Sequence, residues 1–65
     1  MTKTYVIHEM IGNFSKAVYV SDNFYDIQEY LLEAWNEAIN NGDYENTEEN
    51  EQLFYSYYHI EEQRA

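Results

Sequence analysis

Two short runs of β-branched and aromatic residues lie near the start of the chain, separated by turn residues. The runs are Thr4–Met10 (TYVIHEM) and Lys16–Val20 (KAVYV), and both have the composition of strands. Between them, residues 11–15 (IGNFS) include Gly12 and Asn13, which favour turns. The pattern predicts an antiparallel hairpin with a loop of about four to five residues.

The clearest periodicity follows and predicts an amphipathic helix from about Phe24 to Asn41. Its apolar face comprises Ile27, Leu31, Ala34, Trp35 and Ala38, with Leu32 and Ile39 at the margins. Asn23 and Asp26 have the spacing of a capping box, and Gly42 favours the left-handed conformation that ends helices. Trp35 lies near the centre of the apolar face, so we expect it in the core.

The C-terminal third of the chain has a weaker pattern. The segment from Asp43 to Gln52 is polar and acidic and predicts a linker, in which Asn46 and Glu49 have the spacing to begin one helical turn. The segment from Leu53 to Ile60 (LFYSYYHI) is dense in aromatic residues, which favours a strand. A helix is the alternative, because Leu53, Tyr57 and Ile60 would also line one helix face.

The predicted fold class is α+β, as a small ββαβ domain that spans residues 1–65. It combines an antiparallel hairpin, one amphipathic helix and a C-terminal aromatic strand. We expect the third strand beside the first, in the order 2-1-3, with a right-handed crossover that makes it parallel to the second strand. A helical C-terminal segment would give the alternative order ββαα.

Composition limits how such a domain is stabilised and where it works. A chain of 65 residues without cysteine has no disulfide and no thiolate metal site, so packing must stabilise it. We expect a cytoplasmic protein, because the sequence shows neither a signal peptide nor an apolar segment of membrane-spanning length. Dimerisation is one way in which so small a core gains stability, so a homodimer is an open alternative.

The charge of the chain is strongly one-sided. Its net charge is −10, and all but one of its 13 Asp and Glu residues lie between Ala17 and Gln63, a range without Lys or Arg. Eight Tyr, three Phe and one Trp are too many aromatic residues for a disordered acidic tail. The sequence therefore predicts a folded acidic surface that binds a positively charged partner and is repelled by nucleic acid and by anionic membranes.

The predicted helix carries carboxylates opposite its apolar face. Glu29, Glu33 and Glu37 follow one another at i, i+4 spacing, at which like charges destabilise a helix by about 0.2–0.5 kcal/mol per pair. They stand ~6 Å apart along the axis, and a row of acids on a rigid helix approximates one edge of a phosphate backbone. A surface that serves only solubility is the alternative. The predicted partner-binding residues are Asp26, Glu29, Glu33, Glu37, Asp43, Glu45, Glu48, Glu49, Glu51, Tyr30 and Tyr44.

The tyrosines divide into two predicted groups. Tyr5, Tyr19, Tyr55 and Tyr57 are expected to face the core from the sheet. So small a core cannot hide all eight, and exposed tyrosine among acids is a good surface for binding Arg. The candidates for exposure are Tyr25, Tyr30, Tyr44 and Tyr58.

Catalytic and metal-binding patterns are missing from the sequence. Neither a nucleophile–base set nor a glycine-rich phosphate loop occurs, and residues 41–46 (NGDYEN) do not have the order of a calcium-binding loop. His8 and His59 would become cross-strand neighbours if the first and third strands pair. We expect no enzyme activity, no cofactor and no metal.

Size, charge and aromatic content together resemble the small inhibitors that phages and mobile elements make against host defences, namely antirestriction DNA mimics and anti-CRISPR proteins. Ala17–Val20, the helix through Glu29 and Glu33, and the segment Tyr58–Glu62 resemble a domain of plasmid-type antirestriction proteins, over about two-thirds of the chain. No individual residue role is carried over from that resemblance.

The resemblance implies a protein that occupies the nucleic-acid groove of a nuclease or another basic nucleic-acid-binding protein, with carboxylates where phosphates would lie. The host-cell cytoplasm would be its place of action. The alternative is a small phage or bacterial regulatory protein that binds a host factor through its aromatic surface.

Overall fold

Three strands and two helices follow one another in the order ββααβ. The computed structural model describes residues 3–64. Its elements are β1 (Lys3–Ile11), β2 (Phe14–Ser21), α1 (Phe24–Asn40), α2 (Glu48–Tyr55) and β3 (Tyr58–Arg64). Within that range neither helix is long and apolar enough to cross a membrane. The predicted α+β class is confirmed, and α2 is added to the expected order.

The sheet is antiparallel and has the order β2-β1-β3, as the sequence predicted. In the central strand Ile7 lies opposite Tyr19 of β2 and Ile60 of β3. The β1–β2 ladder shifts register after this point, because His8 pairs with Ala17 and leaves Val18 as an extra residue in β2. Such a bulge bends an edge strand and discourages pairing with other chains.

The hairpin loop is shorter than the predicted four to five residues. Ile11 pairs directly with Phe14, so only Gly12 and Asn13 connect β1 to β2. Gly12 has a φ of 61°, and no other residue type adopts a positive φ in the described chain. A two-residue loop with Gly in its first position matches the right-handed twist of the strands, which explains why pairing continues to the end of both strands.

Helix α1 packs across one face of the sheet. The Phe24 ring lies 5.2 Å from Tyr5, and the Tyr30 ring lies 4.8 Å from Tyr19, as measured between ring centroids. Ile7 and Ile27 are fully buried in this part of the protein. Val6, the neighbour of Ile7 in the central strand, points to the other face of the sheet and is 7% exposed.

Aromatic rings form a second buried cluster between the two helices. Trp35 is 3% exposed, and its ring centroid lies 5.5 Å from Phe54 and 5.8 Å from Tyr44. Phe54 also contacts Tyr58, at 5.3 Å, which joins α2 to the third strand. The predicted core position of Trp35 is confirmed.

Helix α2 corrects the prediction for the C-terminal third. Residues 48–52 are not a linker, and Leu53–Tyr55 are helical, whereas Tyr58–Ile60 form the predicted strand. The Thr47 side chain, rather than Asn46, caps the helix by accepting a hydrogen bond from the Asn50 N–H at 3.2 Å. The last described residues form strand β3, so the alternative ββαα order is also wrong.

Both ends of α1 follow the sequence signals. Asn23 is the N-cap, and its side chain accepts a hydrogen bond from the Tyr25 N–H at 2.9 Å. Asp26 does not complete the expected capping box. Ser21 Oγ instead accepts the Asn23 N–H and donates to Asp26 Oδ2, at 3.1 and 2.9 Å. Gly42, with a φ of 80°, follows the C-cap as predicted.

Candidate partner-binding surface

The negative charge is concentrated in the helical part of the molecule. Residues 22–57, which include both helices, contain ten of the 13 acids and neither Lys nor Arg. The strands hold the other three acids (13 − 10 = 3), Glu9, Glu61 and Glu62, together with Lys3, Lys16 and Arg64. The strands are therefore neutral in sum, and the helical part carries the whole net charge of −10.

Several carboxylates have a role in the fold. Glu9 accepts a hydrogen bond from the Tyr58 hydroxyl at 3.1 Å, and Asp26 accepts the Ser21 bond described above. Glu62 pairs with Lys3, and Glu61 with His8 Nε2, both at 3.1 Å. The hydrogen bond from His8 lowers the pKa of Glu61. Within residues 3–64, Lys3–Glu62 is the ion pair that involves a Lys or Arg, and the His8–Glu61 contact becomes one when His8 is protonated; both lie on the sheet.

The acids at the start of α2 also have a structural explanation. Glu48, Glu49 and Glu51 occupy its first turn, where the positive end of the helix dipole stabilises each carboxylate by about 0.3–1 kcal/mol. Glu51 also accepts a hydrogen bond from the Tyr55 hydroxyl at 3.4 Å. A binding role for these three residues therefore has to be separated from their role in helix formation.

A second set of carboxylates has no such role. These side chains are exposed and make no hydrogen bond or ion pair within residues 3–64: Glu29, Glu33, Glu37, Asp43 and Glu45. Glu37 lies in the last turn of α1, where the negative end of the dipole disfavours a carboxylate and no base compensates. The first three form the row that the sequence predicted on the outer face of α1, named here the α1 acid row.

The predicted tyrosines are less exposed than expected. Tyr30 is half-buried and stacks on Tyr19, with an angle of 16° between the rings. Tyr44 is half-buried against Trp35 and Phe54, and Tyr58 is half-buried as well. The expectation that these three are exposed is therefore wrong, because each ring completes an aromatic contact between elements.

The prediction of side-chain exposure is confirmed for Tyr25 and wrong for Tyr57. Tyr25 is 78% exposed, as predicted. Tyr57 was expected to face the core but is 45% exposed, because it lies in the turn between α2 and β3 and not within a strand.

Three predicted residues, Tyr30, Glu37 and Asp43, meet in one cleft with a volume of about 270 Å³. The cleft runs between α1, α2 and β3, and its other lining residues are Ala34, Ala38, Asn41, Phe54 and Tyr58. Burial, followed by the hydrogen bond to Glu9, raises the pKa of Tyr58 to about 12. We name this feature the tyrosine cleft.

The other predicted residues lie outside the tyrosine cleft. Asp26, Glu29 and Glu33 precede Glu37 on α1, whereas Glu45, Glu48, Glu49 and Glu51 lie at and before the start of α2. The predicted site thus comprises the α1 acid row, the tyrosine cleft, which shares Glu37 with that row, and the acids at the start of α2, named here the α2 terminus (Glu45, Glu48, Glu49 and Glu51).

Sequence reasoning missed an apolar surface beside the α1 acid row. Leu32 is 51% exposed and lines two adjoining grooves, one with Tyr25 and Glu29 and the other with Leu31 and Tyr55. Leu53 of α2 is 49% exposed. The marginal position of Leu32 on the helical wheel was the available signal, but the extent to which α2 covers α1 is not visible in sequence.

The histidines take the arrangement that strand pairing implied. His8 lies opposite His59 in the β1–β3 ladder, and their ring centroids are 6.3 Å apart. In the described range, no group of three or more His, Asp and Glu side chains is arranged to hold a metal ion. Comparison with known protein families, curated proteins and solved structures finds no match for this chain.

Proposed function

We propose that this protein is a nucleic-acid mimic that binds and inhibits a basic nucleic-acid-binding protein in the cytoplasm, such as a nuclease component of restriction or CRISPR defence. The observation that carries the proposal is the uncompensated charge of −10 on residues 22–57, next to strands that are neutral in sum. A surface of one sign attracts a partner of the opposite sign and accelerates its association.

The geometry of the α1 acid row supports this proposal. Its carboxylates are held on a rigid helix at intervals of ~6 Å along the axis. The phosphates of one DNA strand advance by ~3.4 Å per nucleotide along the duplex and lie further apart than this through space. The longest dimension of the molecule is 41 Å. That length corresponds to about 12 base pairs of duplex DNA.

The energetic cost of the row also supports a binding role. Two successive i, i+4 pairs of like charge each destabilise α1 by about 0.2–0.5 kcal/mol, and Glu37 adds an unfavourable interaction with the helix dipole. A Lys at any of these exposed positions would relieve the repulsion without disturbing the core. Selection for stability alone therefore does not account for the row.

Capture from a bacterial lysate tests whether such a partner exists. The protein is immobilised, incubated with lysate, and eluted first with duplex DNA and then with 1 M salt. We expect a basic nucleic-acid-binding protein in the DNA eluate, identified by mass spectrometry. Retained proteins that only salt or detergent releases would contradict mimicry.

A charge-matched pair of variants tests the α1 acid row. We expect Glu29→Gln/Glu33→Gln/Glu37→Gln to fold normally and to slow association with the captured protein by about tenfold or more, because exposed charges chiefly steer encounter. The control is Asp22→Asn/Glu61→Gln/Glu62→Gln, which removes the same number of charges outside the row. Surface plasmon resonance at low and high salt measures both rates.

The outcome depends on the difference between the two variants. Equal losses would mean that net charge matters but the row does not. Unchanged binding by the row variant would leave the α2 terminus as the site, and substitution of Glu45, Glu48, Glu49 and Glu51 by Gln would then decide it.

The exposed apolar side chains favour a second candidate, a regulatory protein that docks through its aromatic surface. Tyr25, Leu32 and Leu53 are each about half exposed or more. Binding of this kind would persist at 0.5 M salt, where exposed charges are screened. This candidate would be favoured over mimicry if Leu32→Ser abolished binding to the captured protein while the triple variant of the α1 acid row still bound it.

A further inference from the structure

The tyrosine cleft is lined by apolar and aromatic side chains. We call its apolar lining, formed by Ala34, Ala38 and Phe54, the floor. Tyr30 is held by its stack on Tyr19, and Tyr58 by its packing on Phe54 and its hydrogen bond to Glu9. Both rings are therefore positioned before any ligand arrives, so little rotamer entropy is lost when one binds.

Polar groups also line this cleft, and we call them its polar side. Glu37 and Asp43 are exposed and free of ion pairs within the described chain, and Asn41 lies between them in sequence. The helix C-cap holds Asp43 in place, since its N–H donates to the Ala38 carbonyl at 3.0 Å and the Gly42 N–H donates to Ile39 at 3.0 Å. This Schellman arrangement needs the positive φ of Gly42.

Size and charge restrict what the cleft can hold. Its volume of about 270 Å³ lies just below the ~300–1,000 Å³ range of small-molecule pockets. Two carboxylates in the lining repel phosphate and carboxylate ligands. An occupant with an apolar stem and a cationic end fits both the floor and the polar side.

We propose that the tyrosine cleft receives an arginine side chain of the basic partner. This inference rests on the proposed function and names how the partner is held. The aliphatic stem packs on Ala34 and Ala38, and the guanidinium lies against the tyrosine rings and pairs with Glu37 and Asp43. Arginine suits the cleft better than lysine, because its guanidinium is planar, weakly hydrated and able to bind carboxylates with two hydrogen bonds.

A peptide probe tests the cleft without knowledge of the partner. The probe is acetyl-Gly-Arg-Gly-amide, and its control is the same peptide with citrulline, which has nearly the same shape but no charge. We expect the arginine peptide to shift the ¹⁵N–¹H resonances of Ala38, Asn41 and Asp43 in a saturable manner. The citrulline peptide should bind at least about tenfold more weakly, as expected for the loss of charge-assisted hydrogen bonds.

Two double variants test whether the binding energy comes from the cleft. Glu37→Gln/Asp43→Asn should weaken binding of the arginine peptide by about tenfold. Glu29→Gln/Glu33→Gln removes the same amount of charge outside the cleft and should change the affinity for the peptide by less than about twofold. All four side chains are exposed, so the fold should survive, and unchanged circular dichroism confirms it.

The inference is overturned if both double variants weaken binding of the arginine peptide equally, or if the citrulline peptide binds as well as the arginine peptide. It is also overturned if the resonance shifts spread along the α1 acid row instead of the cleft. Its failure is distinct from failure of the proposed function. DNA-displaceable capture that depends on Glu29 and Glu33 would survive loss of the cleft, whereas absence of any such partner would remove the proposed function itself.

Discussion

Trp35 connects the two helices through its contacts with Phe54 and Tyr44. In a domain of 65 residues a single large aromatic side chain is a considerable part of the buried apolar surface. The same ring supports Phe54, which forms the floor of the tyrosine cleft. Stability and the candidate binding site therefore depend on one residue.

We expect Trp35→Ala to cost about 3–5 kcal/mol of unfolding free energy, because it removes an aromatic core residue and leaves a cavity. Small domains have about 5–15 kcal/mol in total, so partial or complete unfolding should be visible by circular dichroism and thermal melting. Tyr25→Ala, at an exposed position, is the control and should change stability by no more than about 0.5 kcal/mol. A nearly unchanged melting curve for Trp35→Ala would show that the ring is not buried.

At the scale of elements, α2 determines the shape of the candidate site. It carries Phe54 to the cleft, and the turn that follows it delivers Tyr58 to β3. The helix has eight residues, too few to be stable alone in water. Its cap, its acidic first turn and its packing on Trp35 therefore decide whether it forms.

We expect Thr47→Ala to lower the unfolding free energy by about 0.5–2 kcal/mol, because it leaves the Asn50 N–H without its side-chain acceptor. Thr47→Ser keeps a hydroxyl in the same place and is the matched control. Chemical denaturation monitored by tryptophan fluorescence measures both variants. If Ala and Ser have the same effect, the hydroxyl does not cap α2.

At the scale of the whole molecule, the fold places the net negative charge in the helical part and not in the sheet. The strands are neutral in sum, and the helical part carries the net charge. Repulsion within the helical part opposes folding, because the unfolded chain spreads the same charges further apart. The protein therefore keeps an acidic surface at a cost in stability that salt can relieve.

We expect 0.3–0.5 M NaCl to raise the melting temperature, since the Debye length falls from ~10 Å at 0.1 M salt to a few ångströms. The rise should be smaller in Glu29→Gln/Glu33→Gln/Glu37→Gln, which already lacks part of the repulsion. Scanning calorimetry of the two proteins across a salt series is the measurement. A flat or falling melting temperature in the parent protein would contradict an unbalanced acidic surface.

The sequence by itself determined the elements whose signals repeat over many residues. The apolar spacing of α1, its Asn23 cap and Gly42 end, and the core position of Trp35 are all present in the structure. The strand order β2-β1-β3 was also predicted, from the hairpin and from the expectation that the third strand lies beside the first. The signals of α1 and of the hairpin are local, so no distant contact was needed to predict these elements.

Only the tertiary structure decided how the segment from Leu53 to Ile60 divides and which tyrosines are covered. A short aromatic run satisfies both helix and strand periodicity, and Phe54 becomes helical because it packs against Trp35, far away in sequence. The tyrosine cleft joins residues of α1, α2 and β3, so it exists only once they pack. The base-free acidic run was visible in the sequence, but the ion pair between Lys3 of β1 and Glu62 of β3 required the sheet, whose pairing brings these two residues close together.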